Sequence, residues 1–183
     1  MLAGLPFRPF DHDLLGERRK CTQATYYFNN MANAQNELSE KVRRGHFSAI
    51  VAARWLPDHV ERPAIFPGHF GEGSHVATPF YCDYGYHLSI GPDVVIESDC
   101  HFHDSARIHI GRNTKVGASV TIQTLKTPTD KLSLKGGNGT EVAQEVSIGQ
   151  NVYIGDRCVI EAGVKIGDNT IVRPGSVVSR VSI

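Results

Sequence analysis

The chain has no excess of charge of either sign, since 19 basic residues balance 19 acidic ones. No long-range field therefore argues for nucleic acid or an anionic membrane as a partner. No apolar run approaches the ~18 residues of a membrane span, and the start MLAGLPFRPF lacks the basic flank and long apolar stretch of a secretory signal. That reads as a soluble, cytoplasmic protein. Cysteine is scarce: Cys21, Cys82, Cys100 and Cys158 contain no CxxC. No zinc or disulfide framework follows from them, and thiols used as packing groups fit a reducing compartment. At 183 residues there is one domain's worth of chain.

What the chain does have is a repeat of six. Ile148, Ile154, Ile160, Ile166, Val172 and Val178 recur without a slip, and four residues after each stands a small or β-branched residue: Val152, Cys158, Val164, Thr170, Ser176, Ser182. A helix repeats at 3.6 residues and a strand at two, so six fits neither. It fits a parallel β-helix in which each hexad is one flat face, three faces make a turn, and the aliphatic points into the prism. The same period runs through Ile90, Ile96 and Phe102, slips by two at Ile108, and resumes at Ile110, Val116 and Ile122. The count predicts about four turns, each burying its inner face against the next.

Three segments escape the repeat. Residues 1–57 read as a helical cap: Asp11 or Asp13 can cap a first helix, and a second is expected from Ala32 to Trp55 with Leu38, Val42, Phe47, Ile50 and Val51 on one stripe. Residues 58–78 read as a connector, because prolines and glycines crowd it. Within the β-helix of 79–183 lies a polar, Gly-rich inserted loop, 123–147, of a length that is usually functional.

The run Pro79-Phe80-Tyr81-Cys82-Asp83-Tyr84-Gly85-Tyr86 resembles the motif that enters the repeats in the maltose, galactoside and nodulation O-acetyltransferases. Met1-Leu2-Ala3-Gly4 and the spacing from Arg18 to Phe28-Asn29 resemble the helical cap of the same family. The resemblance implies a left-handed β-helix, a homotrimer with sites between subunits, acetyl-CoA in a groove, and a histidine that deprotonates the acceptor hydroxyl. The family's His-Pro pair corresponds here to Thr127-Pro128, and threonine cannot serve as a base near neutral pH. Further departures are Asp99 for the family's asparagine, Tyr153 for its tryptophan, Asp156 and Arg157 for small residues, and Glu145 for a proline. The resemblance also implies a cofactor-covering segment beyond the position of Ile183.

Asp99, His101 and His103, with Thr127, are therefore the candidate catalytic groups. His101 and His103 flank an inward Phe102 and, with Asp99 and Asp104, form an expected outward cluster in which a carboxylate would orient an imidazole and raise its pKa. Tyr81, Asp83, Tyr84, Tyr86 and Asp104 are the candidate substrate-binding residues. Tyr153 and Arg157 are cofactor-binding candidates if CoA is bound. No metal is expected, because nothing supplies a third ligand beside the two histidines. Three readings stay open. The first is a divergent homologue with a repurposed inter-subunit pocket that uses no cofactor and acts on a small molecule as a cyclase, isomerase or lyase. The second is an acetyl-CoA-dependent O-acetyltransferase of a sugar or other hydroxyl compound with a substitute base. The third is a non-catalytic, ligand- or partner-binding trimer.

Overall fold

The computed structural model describes residues 4–31, 40–53, 68–126 and 135–179. Two helices, α1 (His12–Met31) and α2 (Glu40–Val51), precede the strands. Asp11 caps α1, its carboxylate accepting the Asp13 N–H at 3.1 Å. The expected second helix is described over Glu40–Val51; it stops short of Trp55 in a turn at Ala52 and Ala53, the latter at positive φ, while 32–39 and 54–55 lie outside the described residues. No helix among the described residues is long and apolar enough to cross a membrane.

The rest is a left-handed parallel β-helix of five coils. The first coil is β1 (His69–Phe70), β2 (His75–Val76) and β3 (Phe80–Cys82); the second is β4 (Leu88–Ile90), β5 (Val95–Ile96) and β6 (Cys100–His103); the third is β7 (Ile108–Ile110), β8 (Lys115–Val116) and β9 (Thr121–Gln123). A hairpin, β10 (Leu125–Lys126) and β11 (Val142–Ala143), follows. The fourth coil is β12 (Val146–Ile148), β13 (Tyr153–Ile154) and β14 (Val159–Ile160), and the fifth β15 (Lys165–Ile166), β16 (Ile171–Val172) and β17 (Val177–Val178). Each prism face is a five-stranded sheet: β1-β4-β7-β12-β15, β16-β13-β8-β5-β2 and β17-β14-β9-β6-β3. The inward column Ile90, Ile96, Phe102, Ile110, Val116, Ile122, Ile148, Ile154 and Ile160 is buried, each such side chain contributing about 1.5–3 kcal/mol relative to exposure.

The prism has five coils rather than four because its first coil starts inside the stretch that reads as a connector: His69 pairs with Ser89 and His75 with Val95. Gly71 is what hides it. A Cβ there would lie 2.3 Å from backbone atoms of Gly91 and Pro92, so the two coils approach too closely for any side chain.

The slip at Ile108 is a corner. Segments 83–87, 104–107 and 124–145 all join the β3-β6-β9 face to the next strand of the β1-β4-β7 face, so every extra residue stacks at one edge. The second and third of these segments each bind the one above. Asp104 Oδ1 accepts the N–H groups of Asp83 and Tyr84, each at 2.9 Å; Thr124 Oγ1 accepts the Ala106 N–H at 3.0 Å.

The helices close the open end of the prism. Phe47 of α2 packs its ring against Phe28, Phe70 and Phe80, with centroids 5.4, 4.7 and 5.3 Å away. Arg44 donates to the carbonyls of Gly71 (2.6 Å) and Ser74 (3.1 Å), satisfying backbone that has no strand beyond it. Cys21 of α1 and Cys82 of β3, both free thiols, meet with their sulfurs 3.6 Å apart.

Candidate active site

Where α1 crosses the edge of the β3–β6 pair, a cavity of about 180 Å³ opens, lined by Thr22, Thr25, Tyr81, Cys82, Asp83, His101, Phe102 and His103. Strand alternation sorts these groups. Cys82 and Phe102 turn toward the prism interior, while Tyr81, His101 and His103 stand on the outer side. Register does the rest. Tyr81 pairs with His101, and their rings stack 4.4 Å apart at 18°. Asp83, one residue past the end of β3, meets His103, with Oδ2 3.3 Å from Nδ1.

That contact with Asp83 raises the His103 pKa above its ordinary value, outweighing the opposing effect of burial. It also occupies Nδ1 and leaves Nε2 as the nitrogen that can exchange a proton with a ligand. His101 has its own carboxylate, Asp99 Oδ1, at 3.8 Å. Ser119 in turn donates to Asp99 Oδ2 at 3.0 Å. The two threonines come from α1. Thr22 donates its hydroxyl hydrogen to the Arg18 carbonyl at 2.8 Å, and Thr25 to the carbonyls of Cys21 and Thr22 at 3.1 and 3.0 Å.

The structure thus brings Tyr81, Asp83, His101 and His103 together and sets Asp99 beside them. Asp104, Tyr84 and Tyr86 are not in the cavity lining. Asp104, expected to face outward, is fully buried, because its carboxylate turns in at the corner to bind backbone N–H groups. Burial pushes that carboxyl up to about 8. Tyr84 and Tyr86, 1% and 5% exposed, lie behind the cavity wall with Ala53 rather than at its mouth. The Tyr86 hydroxyl donates to Glu17 Oε2 at 2.6 Å. Thr127 lies outside the described residues.

Tyr153 and Arg157 sit lower on the prism. Arg157 belongs to the corner column that carries Asp99 and Ser119, all three at positive φ. Tyr153 faces outward beside Ile171, which is 73% exposed. A ring able to stack on adenine and a guanidinium able to pair with phosphate are what these two positions would offer to acetyl-CoA. Asp156 does not oppose it with a bare charge, because its Oδ1 accepts the Ala118 N–H at 2.9 Å.

Thr22 and Thr25 were not legible as site residues. Their only signal is that i and i+3 share a helix face, which any helix provides. Nor did the sequence say that His103 partners Asp83, since this depends on the first two coils being twenty residues long (His69↔Ser89, Phe80↔Cys100).

Residues 1–53 match the maltose acetyltransferase hexapeptide capping motif, and residues 145–180 match the bacterial transferase hexapeptide of six repeats. Nodulation protein L of Rhizobium meliloti is 38% identical over 97 residues, which cover 53% of this chain and 52% of that protein, so this chain's match spans about half of that relative's length. Among solved structures, a maltose O-acetyltransferase from Clostridium difficile 630 superposes with a TM-score of 0.79 at 30% identity, over 97% of this chain and 83% of that one. A galactoside acetyltransferase in complex with coenzyme A superposes with a TM-score of 0.78 at 26% identity, over 97% and 78%. Matched at both ends and along nearly its whole length, the chain belongs to the hexapeptide-repeat acetyltransferase family that includes the maltose and galactoside O-acetyltransferases.

Proposed function

We propose that this chain transfers an acetyl group from acetyl-CoA to a small polar acceptor seated in the cavity between α1 and the β3–β6 pair, and that it works as a homotrimer. The observation that carries the reading is the His103–Asp83 pair, 3.3 Å apart in the wall of that cavity. An imidazole whose other nitrogen is held by a carboxylate is oriented to take a proton from an acceptor as its nucleophilic atom attacks. When bound, acetyl-CoA supplies the activated acyl group. His103 accepts the proton through Nε2, Asp83 stabilises the imidazolium that results, and the Tyr81–His101 stack offers a flat face for an acceptor ring. Tyr153 and Arg157 are the proposed contacts for the nucleotide end. The exposed Val177 and Ile171 on the outer faces give the fifth coil an apolar surface for a neighbouring subunit to cover.

The experiment is acetyl-CoA-dependent release of free thiol with a panel of sugars and small amines, in the unmodified protein and in His103→Ala. A loss of about 100- to 10,000-fold in kcat/KM on removing His103 is expected, as for a general base. Thr127→Ala should cost far less. Acetylation left intact in His103→Ala sinks the assignment of the base. A second reading, a repurposed pocket that works without CoA as a cyclase, isomerase or lyase, is favoured by one observation, the threonine at 127. Failure to bind acetyl-CoA by calorimetry, together with turnover of a small molecule in its absence, would establish that reading instead.

A further inference from the structure

Beside the donors of Tyr81, His101 and His103, the cavity wall has a side built of acceptors, Thr22, Thr25 and Asp83. Thr22 and Thr25 have given their hydroxyl hydrogens to helix carbonyls, so only oxygen lone pairs remain to face a ligand. Asp83 is a carboxylate, and Asp99 stands just beyond it at His101. No lysine or arginine lines the cavity among the described residues. The aromatic face on offer, Tyr81 stacked on His101 and 41% exposed, has the negative quadrupole that attracts a cation. A ligand complementary to that side of the wall brings N–H donors and a positive charge, whereas a phosphate or carboxylate there would face the like charge of Asp83.

Resting on the acetyl-transfer reading, we propose that the acceptor is a small primary amine, such as an amino sugar, held through its ammonium group by Asp83 and the threonine oxygens, and that the atom acetylated is nitrogen. The ammonium gives one proton to Nε2 of His103. The amine nitrogen then attacks the thioester carbonyl carbon, a C–N bond forms as the C–S bond breaks, and a second nitrogen proton leaves with the thiolate as the free thiol. The products are an amide, CoA thiol and one proton released from His103. An ammonium is a far stronger acid than a sugar hydroxyl, so a histidine paired with a carboxylate is base enough for it.

The test is calorimetric binding without acetyl-CoA, at a neutral pH where the amines are charged, of glucosamine against glucose and galactosamine against galactose. Each amine is expected to bind about 10- to 100-fold more tightly than its neutral counterpart, the range of a charge-assisted hydrogen bond. Asp83→Asn should erase most of that preference, bringing each amine toward the affinity of its neutral counterpart. Thr22→Val, which removes one acceptor from an exposed position of α1, should weaken the amines by a smaller factor. Equal affinity within the pairs, no amine binding, or amine binding indifferent to Asp83 overturns the proposal. Asp83-dependent amine binding with no thiol release would sink acetyl transfer while the pocket's preference stands. Acetylated neutral sugars without an amine preference would do the reverse.

Discussion

Asn29 holds the backbone of Phe80 at both ends: its Oδ1 accepts the Phe80 N–H at 2.9 Å and its Nδ2 donates to the Phe80 carbonyl at 2.9 Å. One side chain of α1 thus does what a neighbouring strand would do for the outer edge of β3, which ends its sheet among the described residues. Asn29→Ala should destabilise by about 1–3 kcal/mol, since two backbone groups lose their partners in a half-buried place. Asn29→Asp keeps the acceptor and should cost less. Thermal melting of the two variants decides the order, and an alanine variant as stable as the parent refutes the clamp.

The raised pKa of His103 fixes a pH dependence. A base must be neutral to accept a proton, so activity should climb as pH rises through that raised value. Removing the largest cause with Asp83→Asn should shift this limb to lower pH, toward the ordinary histidine pKa of about 6.5. The stability sign is opposite: a folded pKa above the unfolded one means that the pair stabilises fully below the ordinary value, and that this is lost as pH rises through the folded one. His103 is 45% exposed, so the second effect should be small beside the first. A pH–rate profile of both proteins checks the direction.

Asp104 makes a sharper claim. Burial lifts its carboxyl to about 8 from an ordinary value near 3.8, so between those limits the unfolded chain is ionised while the folded one keeps its proton. Folding stability should therefore decline with rising pH across that window. Asp104→Asn preserves an oxygen for the Asp83 and Tyr84 N–H groups without the charge, and should flatten the slope. Asp104→Ala strands both donors and should cost about 1–3 kcal/mol for each at all pH. Urea titrations across the window would expose an asparagine variant that keeps the slope, which is the outcome that defeats this account.

Ile154 and Ile160 are fully buried in the inward column. Aspartate at either should destroy the fold, because an unpaired carboxylate there costs several kcal/mol and neighbouring coils have no donor to offer it. Circular dichroism and light scattering give the answer directly; a folded aspartate variant at either position means that the inward phase is assigned wrongly.

The repeat was legible because the aliphatic column repeats in the chain itself: every sixth residue from Ile148 carries its own burial. The first coil was not, because Gly71 and Gly73 serve close approach to the next coil, and such glycines look like a loop when read locally. In the site, the histidines and Asp83 declared themselves by residue type. Their partnering did not, since Asp83 meets His103 only after a coil of twenty residues brings Phe80 onto Cys100. Asp104 misled for a related reason: a charged residue next to an outward histidine reads as surface, yet corner geometry turns it in to bind two amides. The Cys21–Cys82 contact joins two distant elements and leaves no local trace.

The stacking of all extra residues at one corner has a consequence for how such a chain can change. Segments 83–87, 104–107 and 124–145 differ widely in length, yet the strands on either side of each stay in register on their faces. The lattice of coils is indifferent to what hangs from that edge, and at the other two corners every coil keeps the same six-residue step between inward residues. Variation in length is therefore confined to the edge that borders the His103 wall. The part of the molecule freest to drift is the part next to the proposed site.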